Sequence, residues 1–143
     1  MIRARDRCKP LVQAILLSYG AFDEEVRDTH ARYGGDAYML TPREMDDFWR
    51  NYRGEDRSPD PVARPLLADL TGLPPTFLCI PECDILADEN REMARRLGEA
   101  GVEVAAKVYP GATHSFLEAV SISPLADRAL ADASIWLRDQ FAE

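Results

Sequence analysis

Residues 75–89 read PTFLCIPECDILADE, residues 102–116 read VEVAAKVYPGATHSF, and a helical segment joins them. The first stretch is an apolar run from Thr76 to Cys83 that ends in Asp84, the pattern of a parallel strand buried on both faces. Asp88 and Glu89 then put negative charge in the first turn of a helix, where the helix dipole favours it. Met93, Ala94, Leu97 and Ala100 give that helix a buried stripe, and Gly101 suits the position just past its end. Val102, Val104, Ala106 and Val108 alternate with Glu103, Ala105 and Lys107, as in a strand nearer a sheet edge. Pro110-Gly111 is read as the turn that follows, and His114 comes next. An acid and a histidine at the ends of successive parallel strands can form a hydrogen-bonded pair. The acid fixes the imidazole tautomer and stabilises the imidazolium formed when the ring accepts a proton.

Working outward, residues 1–9 are short, charged and helix-compatible, and they read as the tail of a helix. Leu11 to Leu17 is a near-continuous apolar run of strand length, closed by Ser18-Tyr19-Gly20. Ala21 to Leu40 reads as a long polar loop. Thr41-Pro42-Arg43-Glu44 is a helix start, with Thr41 at the N-cap, Pro42 in the first turn and Glu44 completing a capping box. Met45, Phe48, Trp49 and Tyr52 share one face of that helix. They either pack on the core or line a pocket as part of a cap. Gly54 to Pro75 is proline-rich and stiff. Ser123-Pro124 opens a last helix, in which Leu125, Ala129, Ala133, Leu137 and Phe141 recur every fourth residue. The order of elements predicts an α/β fold with about three parallel strands and flanking helices.

With 143 residues, the chain suffices for one ordinary domain. A net charge of −8 argues against a nucleic-acid partner, which needs clustered cations. Arg91, Arg95 and Arg96 have acidic neighbours and read as a solvated helix face. Cys8, Cys79 and Cys83 have no metal-like spacing, no disulfide is expected between Cys79 and Cys83, and reduced thiols point to a cytoplasmic setting. No apolar run approaches the length of a membrane span. No metal or other cofactor is expected.

The chemistry rests on Asp84 and His114. Asp84 stands where open α/β sheets place their ligands, although a loop aspartate there could equally cap the following helix. Asp88, the competing acid, fits better as a dipole or cap residue. His30 has no evident partner and reads as incidental. The pair still needs a nucleophile, and the pentapeptide G-x-S-x-G does not occur in the sequence. Ser18 leads into a loop, Ser115 adjoins the histidine, and Cys83 adjoins an acid. All three are poor substitutes.

Three stretches carry a resemblance to a known family: residues 64–75 (RPLLADLTGLPP), 82–89 (ECDILADE) and 109–116 (YPGATHSF). Together they resemble the C-terminal half of the hormone-sensitive-lipase-type α/β-hydrolases, a class that includes bacterial acetyl esterases and related carboxylesterases. Leu17 to Gly20 and the Leu40 to Trp49 helix fit the same likeness. Ile85 replaces the proline often found after the family's acid, and Ser115 replaces a more usual glycine or alanine. The resemblance implies Asp84 as triad acid and His114 as general base, with Phe48, Trp49, Ile85 and Phe116 as substrate-binding candidates. The serine elbow and the H-G-G-G oxyanion loop would belong to the family's N-terminal half.

On that likeness residues 1–143 form a single partial α/β-hydrolase domain, with a cap-like excursion at about 21–60 and a strand-acid-helix-strand-histidine core at 75–143. Residues 11–18 would be the fold's sixth strand with its usual neighbour missing, so association or a homodimer through that edge is expected. The expected function is that of a fragment of a serine carboxylesterase acting on short-acyl esters, holding the acid and the base but not the serine. The alternative is a non-catalytic ligand-binding or interaction module on the same fold. A third arrangement has a separate chain supply the serine.

Overall fold

A computed structural model of the protein describes Ile2, Arg7, residues 12–56 and residues 58–142. Three parallel strands run in the order β1-β2-β3: β1 (Ile15–Ser18), β2 (Thr76–Cys83) and β3 (Val104–Thr113). Ile15 pairs with Thr76, and Thr76 pairs with Val104. Four α-helices accompany them among the described residues: α1 (Asp28–Tyr33), α2 (Pro42–Arg53), α3 (Ala87–Glu99) and α4 (Pro124–Phe141).

The uninterrupted apolar character of β2 has its cause in this arrangement. Alternate side chains of a strand point to opposite faces, and both faces of β2 are covered. Leu78 and Ile80 pack on one side with Met93 and Leu97 of α3, together with Leu66, Ala68 and Leu70 from the proline-rich segment. Phe77 and Cys79 pack on the other side with Tyr109, Ala112 and Ala129, backed by Trp136 of α4. The segment 54–75 is thus more than a stiff connection, because its leucines complete the α3-side core.

α2 begins as its sequence predicts. The Thr41 hydroxyl accepts the Glu44 N–H, and the Glu44 carboxylate accepts the Thr41 N–H at 2.9 Å. α3 ends in a Schellman motif. Gly101, at φ +76°, donates to Gly98, and Val102 donates to Leu97. Glycine adopts this left-handed backbone without steric cost.

Several expectations need correction. The loop predicted over 21–40 contains α1 and a 3₁₀ turn at Asp36–Tyr38. A tertiary anchor fixes α1, since buried Thr29 donates its hydroxyl to Ile85 O at 2.6 Å, and no local pattern records that bond. Pro110-Gly111 does not end β3, which continues to Thr113 through a bulge in its register with Pro81 and Cys83. The apolar run 11–17 yields a strand only from Ile15, with Leu11 outside the described residues, as is most of the helix tail expected at 1–9. In α4 the packed stripe is Leu125, Ala126, Ala129, Ala133 and Trp136, while Phe141 is exposed. Arg91 and Arg95 form exposed pairs with Asp88, Glu92 and Glu99, as expected of a solvated face, and Arg96 reaches inward to Ala68 O.

Candidate active site

β2 ends at Cys83 and delivers Asp84 to the C-terminal edge of the sheet, with 0% of its surface exposed. Its two carboxylate oxygens have separate tasks. Oδ1 accepts the Leu86 N–H at 2.9 Å and shapes the turn into α3, while Oδ2 lies 2.8 Å from Nδ1 of His114. Asp84 thus pairs with the histidine but does not cap α3: the N-cap is Leu86, with no side-chain cap hydrogen bond, and Oδ1 shapes the turn before it. Asp88 takes the role left to it, accepting from Arg91 and from the Thr29 N–H.

His114 follows β3 and is partly exposed. The bulge before it is braced by Glu82, whose Oε2 accepts the Gly111 N–H at 2.8 Å. Ser115 takes the left-handed conformation at φ +57°, which turns the chain away immediately after the histidine. The Tyr19 ring meets the imidazole edge to face, with centroids 4.9 Å apart. Nδ1 is committed to Asp84, which leaves Nε2 as the other ring nitrogen. Among the described residues no hydroxyl bonds either ring nitrogen.

A cavity of about 490 Å³ opens beside the imidazole. Tyr19, Met45, Phe48, Trp49, Tyr52 and Leu86 are among its lining residues, and His114 supplies the imidazole. The shared face of α2 therefore divides. Met45 is buried in a small core with Leu40, Ile85 and Leu86 and only borders the cavity from there, while Phe48 and Tyr52, 58% and 67% exposed, line it from outside the core. Of the four substrate-binding candidates, Phe48 and Trp49 line it. Ile85 is 1% exposed in the core beneath, and Phe116 stacks beside Tyr109 and Tyr19; neither is in the cavity wall.

Two further side chains near the acid, Glu89 and Asn90, are buried, which the sequence did not indicate. Glu89 is buried and accepts the Phe22 N–H at 3.0 Å; its burial pushes the carboxyl up to about 8. Asn90 is buried against the Gly20 backbone. Their signal was the Asp-Glu-Asn run at the start of α3, which reads equally well as dipole compensation. Cys79 and Cys83 are both free, and burial pushes the Cys79 thiol up to about 12, far from a reactive thiolate. His30 accepts the Arg27 N–H through Nδ1, a local contact away from Asp84. Among the described residues no group of three or more His, Cys, Asp or Glu is placed to hold a metal ion, and no helix is long and apolar enough to cross a membrane.

Residues 1–118 match a family described as alpha/beta hydrolase fold, and the chain belongs to that family. It is 33% identical over 129 residues to an ethyl acetate hydrolase of Pseudomonas putida, covering 88% of this chain and 40% of that protein. An acetyl esterase of Salmonella paratyphi B is 32% identical over 130 residues, with 90% and 40% covered. An esterase of Pyrobaculum calidifontis superimposes with a TM-score of 0.92 at 29% identity, over 99% of this chain and 48% of the other. A bacterial heroin esterase gives 0.88 at 32% identity, over 99% and 46%. The chain spans about 40% of the length of these curated relatives and under half of these solved structures.

Proposed function

We propose that this chain contributes the acid and the general base of a serine carboxylesterase of the hormone-sensitive-lipase type, acting on small, short-acyl esters. The contact between Asp84 Oδ2 and His114 Nδ1 at 2.8 Å carries the reading. A buried carboxylate on Nδ1 fixes the tautomer whose Nε2 is a free base. Nε2 then takes the proton of an attacking serine hydroxyl and returns it to the leaving alkoxide. The serine and the oxyanion donors come from sequence outside these 143 residues. Phe48 and Trp49 offer apolar surface to the ester, as part of a cap-like excursion at about 21–60 on a single partial hydrolase domain. The setting is cytoplasmic.

The reading is tested by exposing the purified chain to an acylating ester and weighing it. The expected result is no stable acyl adduct on the chain alone, with hydrolysis appearing only when a serine-bearing half of the fold is joined to it. A serine-linked acyl adduct on the isolated chain would overturn the proposal.

Among the described residues β1 pairs on one side only, with β2, and that edge supports the expected association through residues 11–18. Leu16 points outward there, and an unpaired strand edge offers free backbone donors and acceptors to a second strand.

A further inference from the structure

Asn90 lies in the first turn of α3, six residues after the acid, and its side chain is fully buried. Its Oδ1 accepts the Gly20 N–H at 3.2 Å, and its Nδ2 donates to Gly20 O and to Leu86 O, each at 2.8 Å. Holding both backbone groups of one residue requires an acceptor and a donor on the same side chain. A carboxamide provides both, whereas a carboxylate or an aliphatic group does not. Asn90 therefore ties the turn after β1 to the same Leu86 whose N–H is bound by Asp84.

Tyr19 stands immediately before that turn. Its N–H donates to Cys79 O at 3.0 Å, so the residue is held by β2 on one side and by the Asn90 grip on the other. Between these anchors its backbone sits at φ +40°, a left-handed conformation that a non-glycine residue keeps only where its surroundings over-determine it. Gly20 is restricted as well, because a Cβ there would meet the Phe22 ring at 2.4 Å, and the Phe22 backbone is itself fixed by Glu89. The product of these restraints is the place of one aromatic ring, edge to face with His114 and 6.4 Å from Phe116.

The geometry points to Asn90 as a positioning residue for His114, acting through the Gly20 turn and the Tyr19 ring. The covalent bond to Cβ and the hydrogen bond between Nδ1 and Asp84 hold the imidazole along one edge, which leaves the ring free to tilt about the line joining them. The Tyr19 ring removes that freedom and thereby directs Nε2 toward the cavity. This inference rests on the esterase reading for its purpose, since a fixed Nε2 matters only if it takes a proton.

The test is the His114 ring-proton resonances in the chain itself, observed by NMR, with His30 as the internal control because it is the one other histidine. Tyr19→Leu removes the ring current on His114, and its resonances move while those of His30 do not. Asn90→Leu moves them in the same direction, although Tyr19 is still present. Asn90→Asp, which keeps the side-chain shape and loses the donors, decides the matter if Asn90→Leu does not fold. Unmoved His114 resonances in Tyr19→Leu, or in a folded Asn90 variant, would overturn the inference. The measurement needs no nucleophile, so a failure of the esterase reading shows separately, as no hydrolysis from the joined halves despite His114 resonances that follow Asn90.

Discussion

The Glu82 carboxylate, at the end of β2, accepts the backbone N–H of Gly111 within the bulge of β3. Between the Pro81 and Cys83 pairings β2 has one residue, while β3 passes from Tyr109 to Thr113. The extra backbone would leave donors without ladder partners, and Glu82 takes one of them. This brace sets the length of chain that brings His114 back over Asp84. Glu82→Ala is expected to cost about 0.5–1.5 kcal/mol of stability by urea unfolding, and to lower hydrolysis by the joined halves. Glu82→Gln, which can still accept from Gly111, should retain most of both. Equal behaviour of the two variants would contradict the brace.

Asp84→Asn keeps the shape of the acid and removes its charge. The amide can present a donor to Nδ1, which favours the wrong tautomer, and hydrolysis by the joined halves should drop on the order of 10⁴-fold. In the chain alone, the low-field proton signal of a Nδ1–H bonded to a carboxylate should disappear. A persistent signal would mean that the proton is held elsewhere.

Glu89 makes stability depend on pH in a stated direction. Burial raises its carboxyl to about 8 in the folded chain, above the ordinary value of 4.5, with Arg27 opposing the shift and Asp23 and Asp84 adding to it. The folded state therefore holds a proton that the unfolded state has lost. That contribution is fully present below about pH 4.5 and declines toward pH 8, by at most about 1.4 kcal/mol per unit. Glu89→Gln can keep the bond from Phe22 without the titration. Its stability should exceed that of the parent chain above pH 8, and the difference should close toward pH 5. Parallel stability curves for the two chains would refute the assignment.

If β1 is an open edge, size-exclusion chromatography should show the chain eluting above its 16.0 kDa monomer mass as concentration rises. Leu16→Lys places a charge on the exposed face of that edge and should shift elution back toward the monomer. A single monomer peak for the parent chain at high concentration would remove the proposed association.

The buried strand, the acid, the helix stripe and the histidine were all legible, because each is a local pattern with a physical cause. β2 had to be apolar throughout because both its faces are covered, and Gly101 was readable because a left-handed helix end favours glycine. Three things were not legible. α1 was missed because its anchor, Thr29 to Ile85, joins residues far apart in sequence. Pro110-Gly111 looked like a turn because those residues also suit a bulge, and only the pairing with β2 tells the two apart. The burial of Glu89 and Asn90 was hidden because an acid at a helix start already has a sufficient local explanation in the dipole.

The central position of β2 has a consequence for how the molecule assembles. Among the described residues each outer strand joins the sheet through β2, but the two pairings close chain loops of different length. Joining β1 to β2 spans about twice as many residues as joining β2 to β3, at an added entropic cost of about 0.6 kcal/mol. The shorter closure, with α3 packed across it, is favoured to form first, and it already contains both Asp84 and His114. On that order the acid-base pair is expected to form before β1 docks and brings Tyr19 over the histidine.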